Sequence, residues 1–552
     1  MMTQALQCFQ SGNHDEAEII LFKVLGTEPK NFDALHIYGV LKGIKNQHHE
    51  ALGFFRKALK INPNHSFLNF NIAKAFSEIG EDEKALKFHS SATKLNPNYP
   101  EGWLNYGKSL LNLYKFDQSL NLFSRAVALN PDYAEAWTNL GSALKELGRF
   151  QEALDSFDKS LKINPHIAET WSNRGIALLK LKRVEEAVAN FDNAIAINPD
   201  YADAYSNRGI ALLELKRLEE AVASYDKAIA IKPDHAKAHC NKSLAFLLAG
   251  KFAQGWGLYE WRWKKEDTVK NKRNFPQPLW LGLEDIANKT ILLHAEQGLG
   301  DTIQFCRYVK LVKERGARVV LEVPEALLRL MDGLEGIDDL VEKGKVMPSF
   351  DFHCPLMSLP LAFKTTVESI PHLVPYIHLN KEKENKWRMH IGNSGFKIAI
   401  CWQGSTKSQV DIGRSFPVNL FEGLAKINDV RLISLQKNEG VEQLKNLPAG
   451  MRIETLPDNF DNGDSAFIDS ACVMKCADLV ITSDTALTHL AGALGVKTWL
   501  PLRFVPDWRW MLDINDSPWY PNHRLFRQAI RDEWGSVFEA MELELRTIVL
   551  SK

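Results

Sequence analysis

AEAWTNLGSALKELGRFQEALDSFDKSLKINPHI, residues Ala134–Ile167, decides the first half of this chain. The next stretch, Ala168–Tyr201, repeats its pattern: Trp137, Gly141, Ala153, Phe157 and Pro165 are followed by Trp171, Gly175, Ala187, Phe191 and Pro199. One unit upstream stand Trp103, Gly107, Phe123, Ala126 and Pro131; one unit downstream stand Tyr205, Gly209, Ala221, Tyr225 and Pro233. Proline marks the interval seven times, at Pro29, Pro63, Pro97, Pro131, Pro165, Pro199 and Pro233, each 34 residues after the last. A period of that length belongs to a helix–turn–helix unit that cannot bury its apolar face alone and stacks into a solenoid. The small residues let two helices approach, the aromatics fill the space between neighbouring pairs, and proline ends the second helix.

The chain has 552 residues, too many for one hydrophobic core, so two or three domains are expected. Lys plus Arg (67) nearly balance Asp plus Glu (68), which removes any bulk electrostatic case for nucleic acid or an anionic membrane. The seven cysteines, at 8, 240, 306, 354, 401, 472 and 476, are odd in number and form no Cys-x-x-Cys pair. Cys472 and Cys476 share one helix face but lack further ligands. Buried, reduced thiols in a reducing cytosol are the expectation. No apolar run approaches ~18 residues. The first residues read as an amphipathic helix, Met2–Gln10, without the basic segment and apolar core of a signal peptide. These features predict a cytoplasmic protein with no membrane span.

The repeat pattern resembles the tetratricopeptide repeat over about residues 1–265. Its first unit is degenerate. Its last ends in the aromatic run Trp256, Tyr259, Trp261 and Trp263, expected to cap the solenoid and dock it on the next domain. A second ladder runs through Asn71, Asn105, Asn139, Asn173, Asn207 and Asn241, all at one place on the first helix of each unit. In this repeat type that position lines the concave face. Asparagine carries a donor and an acceptor, so a row of them can pair with the peptide groups of an extended polypeptide. An asparagine row of this kind resembles that of O-linked N-acetylglucosamine transferases. The alternative is that these side chains only bond neighbouring helices.

After a linker at 266–289 the pattern changes to strand–helix alternation. Thr290–Glu296, Val319–Val323, Asp351–Pro355, Lys397–Trp402, Arg431–Gln436 and Asp478–Thr482 read as strands, with a helix near Lys381–His390 between the two groups. Such alternation implies parallel sheets. The expected fold is an all-α solenoid followed by an α/β body of two Rossmann-like lobes, 290–384 and 385–552. The turn Gly298-Leu299-Gly300-Asp301 lacks the third glycine and the later acidic residue of a dinucleotide fingerprint, which disfavours hydride transfer.

The motif with most chemistry is Ser483-Asp484-Thr485-Ala486-Leu487-Thr488-His489, which follows an apolar strand and opens a helix. A helix N-terminus offers unpaired N–H groups and partial positive charge, which suits a diphosphate. His489 lies four residues after Thr485, on the same side of the first turn. The bland alternative for Asp484 and Thr485 is helix capping. Asp458, Asp461 and Asp464 form an acidic loop without calcium-loop spacing.

Residues 288–530 resemble the heptosyltransferase-like glycosyltransferases of the GT-B fold. The resemblance rests on the Gly300-Asp301 turn, on Trp402-Gln403-Gly404-Ser405 followed by Arg414-Ser415, on Glu439 after Leu435-Gln436-Lys437, and on Asp484, Thr485 and His489. It implies that Asp301 is the catalytic base and that Trp402, Gly404, Ser405, Arg414, Ser415, Lys437, Glu439, Asp484, Thr485, Ala486 and His489 form the donor site. It also implies an inverting enzyme with neither metal nor resident cofactor, and a nucleotide sugar as co-substrate. The sequence departs from that family at Pro506-Asp507-Trp508-Arg509-Trp510 and Asp516-Ser517-Pro518-Trp519-Tyr520-Pro521. Trp508 and Trp510 suit either stacking on a base or sugar, or domain packing. His294 and Glu296 flank the Asp301 turn as further candidates for proton transfer, His294 equally as a packed histidine. Tetratricopeptide arrays fused to such domains resemble bacterial protein glycosyltransferases, including those that modify flagellin. The expected activity is therefore glycosyl transfer to a protein acceptor recruited by the repeats. The alternatives are a non-catalytic scaffold, and a transferase acting on glycan or lipid-linked acceptors.

Overall fold

The computed structural model of the chain describes residues 1–270, 272–406, 413–463 and 466–550. Two compact units divide at Leu215 and Lys216. The first holds thirteen α-helices, from Met2–Gln10 to Ala202–Glu214, and each packs on its neighbours in sequence. The reason for the repeat signature is visible in three successive repeats. The helix-A tryptophan donates its indole N–H to the preceding loop proline: Trp103 to Pro97 O, Trp137 to Pro131 O and Trp171 to Pro165 O, each at 2.8 Å. The helix-B phenylalanine covers the helix-A glycine. A β-carbon at Gly107, Gly141 or Gly175 would stand 2.5, 2.6 or 2.7 Å from the ring of Phe123, Phe157 or Phe191. The core of this unit is correspondingly rich in alanine, with Ala126, Ala136, Ala153, Ala177, Ala187 and Ala194 fully buried.

The second unit begins with three more helices of the repeat pattern, Leu218–Ile231, Ala236–Leu248 and Phe252–Tyr259, and a 3-10 turn Glu260–Lys264. Two parallel sheets follow. The N-lobe sheet has β1 (Thr290–His294), β2 (Arg318–Val323), β3 (Asp339–Glu342) and β4 (Phe352–Pro355) in the order β3-β2-β1-β4. The C-lobe sheet has β5 (Phe396–Cys401), β6 (Val430–Ser434), β7 (Leu479–Thr482), β8 (Thr498–Leu502) and β9 (His523–Arg527) in the order β6-β5-β7-β8-β9. All pairings in both sheets are parallel. This is the expected all-α array followed by an α/β body.

Three strands were not expected. β3 and β9 are short edge strands with charged ends, without the β-branched run that marks a buried strand. β8 contains Pro501, which argues against a central strand. It is tolerated because β7 pairs with β8 only as far as Trp499, so the missing N–H falls past the end of β7. Two expected boundaries also shift. Pro278 O accepts the N–H of His353 at 3.1 Å, Trp280 donates its own to His353 O at 2.8 Å, and the Trp280 side chain is fully buried, so the end of the expected linker belongs to the N-lobe. The helix Lys381–Ile391, which the 384/385 boundary would cut, is continuous and packs on Ile468–Cys476 of the C-lobe, with Trp387 Nε1 donating to Asp469 Oδ1 at 2.9 Å.

Candidate functional site

The loops after β1 and β7 each open a helix, and the two helix starts meet. Leu299–Phe305 follows β1 and Ala486–Ala493 follows β7. The approach is close: a β-carbon at Gly300 would stand 2.8 Å from Cδ2 of His489 and 3.3 Å from Cα of Ala486. Asp301 is the third residue of its helix. One carboxylate oxygen accepts the Gly298 N–H at 2.9 Å, which caps the helix, and the other accepts from Nη2 of Arg509.

Arg509 is the centre of a buried charge chain. Its Nε donates to Gln304 Oε1 at 2.5 Å and its Nη1 to Asp507 Oδ1 at 2.9 Å. The second Asp507 oxygen faces Arg414 Nη2 at 3.4 Å, and Arg414 Nε lies 3.7 Å from the Asp484 carboxylate. Asp301, Arg509, Asp507, Arg414 and Asp484 thus run in series from one helix start to the other. Arg414 is the loosely held member: its Nε is buried without a hydrogen-bond partner among the described residues. Burial opposes the charge on Arg509, but Asp507 and Asp301 keep it protonated. Burial and the nearby Asp507 push the Asp484 carboxyl above the usual carboxylate range against the pull of Arg414. Burial would do the same to Asp507, but Arg509 and Arg414 hold it below that range. Two carboxyls on one arginine are therefore driven apart in acidity.

Thr485 stands at the N-cap position of the Ala486 helix, yet its side chain makes no capping bond, and among the described residues its buried Oγ1 has no partner. Ser483 Oγ is unpartnered in the same way. Simple capping therefore does not account for this loop. His489 bonds through Nδ1 to the Tyr520 hydroxyl at 3.0 Å and stacks on Trp510. Burial, aided by Arg509, holds its imidazole neutral, well below the ordinary histidine range. It can offer a hydrogen bond but not a positive charge.

The other expected donor residues form a second group on the C-lobe. Gly404 N–H donates to Ser415 Oγ at 3.0 Å, Ser405 is exposed, and Glu439 accepts from the backbone N–H and hydroxyl of Thr406. Gln436, which sequence reasoning passed over, is the strut: Oε1 accepts from Trp402 N and Gln403 N at 3.0 Å, and Nε2 donates to Gln403 O and Glu439 O. Two expectations need correction. The Trp402 indole is fully buried in the C-lobe core, so it has no face for a ligand. Lys437 Nζ is committed to Phe460 O, Asp461 O and Asn462 Oδ1, at 2.6 to 2.7 Å, and holds that loop. Asp464 of the acidic loop lies outside the described residues, and Asp461 binds the start of the Ile468 helix through Asp469 N and Ser470 N.

Trp508 and Trp510 are buried packing residues; Trp508 meets Phe252, Trp256 and Trp519 edge to face. What sequence reasoning missed in that segment is the charged pair around Trp508, Asp507 and Arg509. The one signal available was a pair of opposite charges inside an aromatic run. His294 packs in the N-lobe against Phe275 and His353, its Nε2 3.3 Å from His353 Nδ1. Among the described residues no cluster of three or more His, Cys, Asp or Glu side chains could hold a metal, and no helix is long and apolar enough to cross a membrane.

In the first unit all five asparagines of the ladder are half-buried. Asn105 and Asn139 donate to the carbonyls of Glu101 and Glu135 in their own helices at 2.8 Å, while Asn71 meets His36 Nε2 at 2.9 Å and Asn173 accepts from Lys145 Nζ at 3.1 Å. In the second unit Asn241 is likewise half-buried. Residues 32–65, 104–166 and 172–236 match the tetratricopeptide repeat family. The first half of the chain is a tetratricopeptide array. Over 326 residues the chain is 23% identical to Protein FlbA of Caulobacter vibrioides, a match covering 55% of this chain and 54% of that protein, so the chain spans about half the length of this relative. Among solved structures it resembles YrrB, described as a tetratricopeptide protein with an unusual peptide-binding site, with 26% identity over 34% of this chain and 98% of that one at a TM-score of 0.30. PilF of Pseudomonas aeruginosa matches with 18% identity over 38% and 94% at a TM-score of 0.34. Solenoids of this repeat present an extended concave surface.

Proposed function

We propose that the chain is a metal-independent, inverting glycosyltransferase of the GT-B type that moves a sugar from a nucleotide sugar to a protein acceptor held by the tetratricopeptide array. The observation that carries this reading is the Arg414 guanidinium. It is a half-buried cation whose Nε makes no hydrogen bond among the described residues, beside the N-terminus of the Ala486 helix and the hydroxyls of Ser483 and Thr485, which likewise make none there. An incoming diphosphate would supply the acceptors these donors lack.

Charge supports the same reading. Three carboxyls, Asp301, Asp484 and Asp507, face two arginines, and the upward shift of Asp484 lets one of them be neutral when an anion enters. In the reaction the sugar–phosphate bond breaks while the acceptor hydroxyl attacks from the opposite face. Arg414 and the helix start take up the charge on the departing phosphate. Asp301 receives the acceptor proton. To do so it must exchange its bond from Arg509 for one from the acceptor hydroxyl.

The test is a thermal-shift panel with UDP, GDP, ADP, CMP and dTDP on wild type and Asp484→Ala, followed by nucleotide-sugar turnover in wild type and Asp301→Asn. A ligand at ~100 times its dissociation constant adds roughly 2.7 kcal/mol of stability. The expected result is a shift with one nucleotide that Asp484→Ala abolishes, and turnover that Asp301→Asn removes. No shift with any nucleotide and no turnover of any sugar overturns the proposal. A second reading, a non-catalytic scaffold, is favoured by one observation: both Asp301 oxygens are already engaged, by Gly298 and Arg509. It expects nucleotide binding, if present, without turnover.

A further inference from the structure

The last helices of the array do more than end it. In the 3-10 turn Glu260–Lys264, Arg262 is buried and spends all five of its N–H donors. Nε and Nη2 bond the Glu296 carboxylate at 3.0 to 3.2 Å, Nη2 also bonds Ser358 Oγ at 2.8 Å, and Nη1 bonds Glu260 at 2.6 Å and Tyr259 O at 3.2 Å. Glu296 in turn accepts the Met357 N–H at 3.2 Å. The next residue, Gln297, donates to the Tyr259 hydroxyl at 3.2 Å. Glu296 and Gln297 directly precede Gly298, whose N–H holds Asp301.

The same cap reaches the other partner of Asp301. Trp256 donates its indole N–H to Thr365 O at 2.8 Å and packs edge-on against Trp508, the residue beside Arg509. Both ends of the Asp301–Arg509 pair are thus backed by the repeat cap. Apolar packing alone would make a joint at least as stable, because a buried ion pair repays its desolvation only with near-ideal geometry. What the guanidinium adds is direction: a planar fork fixes the Glu296 carboxylate, and with it the backbone leading into the turn.

We propose that Arg262 is a positioning residue for Asp301, through which the cap of the tetratricopeptide array sets the Glu296–Asp301 turn against Arg509. The inference rests on the reading of Asp301 as a reacting group. It means the cap is a working part of the transferase site. A polypeptide that shifted the cap would shift the turn.

The experiment is hydrogen exchange on the full chain, with mass readout of the segment 296–305, in wild type, Arg262→Gln, Arg262→Lys and Tyr259→Phe. Donor hydrolysis is measured on the same samples. In Arg262→Gln the segment is expected to exchange roughly tenfold faster while β5 and β7 keep their protection. The kcat should fall about tenfold or more with KM for the nucleotide sugar unchanged. Arg262→Lys, which keeps the charge and loses the fork, should not restore it. Tyr259→Phe removes one hydroxyl and keeps the ring, so its smaller effect should fall on the same segment. Unchanged exchange at 296–305, or an equal rise across both lobes, overturns the inference. If wild type hydrolyses no nucleotide sugar, the proposed function fails, and the exchange measurement still decides whether Arg262 sets the turn.

Discussion

Gly300→Ala is the sharpest probe of the meeting between the two helix starts. The added carbon would stand 2.8 Å from His489 Cδ2 and 3.3 Å from the Ala486 Cα. Carbon pairs settle at about 3.5–4.0 Å, so something must move by several tenths of an ångström. The imidazole cannot swing aside cheaply, because Tyr520 holds Nδ1 and Trp510 lies stacked on its face. Ala486 is backbone at the head of its helix. Overpacking of this kind costs about 1–3 kcal/mol, against which alanine recovers at most ~1 kcal/mol over glycine in a helix. A net loss of about 1–2 kcal/mol is expected, a fall of roughly 1.5–3 °C in melting temperature for a unit of this size. Tryptophan fluorescence is the right signal, since eleven of the fourteen tryptophans lie beyond residue 216 and report the second unit. The control is Gly298→Ala, at φ −71°, where the new carbon meets only Asp301 Oδ2 at 3.2 Å. The wedge should also displace His489 and weaken nucleotide binding, which the control should not. A Gly300→Ala protein that melts and binds like wild type would refute the reasoning, because the two helix starts could not then be as close as described.

Two further predictions concern the array. His89 is buried, stacked on Tyr106, with neither ring nitrogen hydrogen-bonded among the described residues, and burial pulls its pKa down to about 4. Its folded value lies below the unfolded ~6.5, so its contribution is intact above that pH and is lost as pH falls toward 4, by up to about 3 kcal/mol. His89→Phe should therefore gain on wild type as pH falls from 7 to 4.5 in far-UV circular dichroism melts, and a constant gap would contradict the assignment. Gly141→Ala puts a carbon 2.6 Å from the Phe157 ring and should lower the first unit's unfolding free energy by about 1–3 kcal/mol, with tryptophan signals from the second unit unchanged.

Legibility followed the range of the interaction. The array could be read because its contacts are local and recur: each tryptophan reaches a proline six residues back, and each phenylalanine covers a glycine sixteen residues earlier. β1, β2 and β5 announce themselves by apolar runs, whereas β8 hides behind Pro501 and β9 behind its arginines. Within the site, Asp484, Thr485 and His489 share one turn and were found together. Arg509 stands 208 residues from Asp301, and no spacing rule connects them. The segment that supplies Arg509 and Asp507 is also the one that departs from the heptosyltransferase pattern. That coincidence has a chemical consequence. An aspartate proposed as a base rests here against a guanidinium, so its release becomes a step of its own. Asp507 is shared between Arg509 and Arg414. On the proposed reading, an anion that drew Arg414 away would leave Asp507 as the stronger partner for Arg509 and would loosen the hold on Asp301. On that reading, donor binding is what would trigger that release, through a single shared carboxylate.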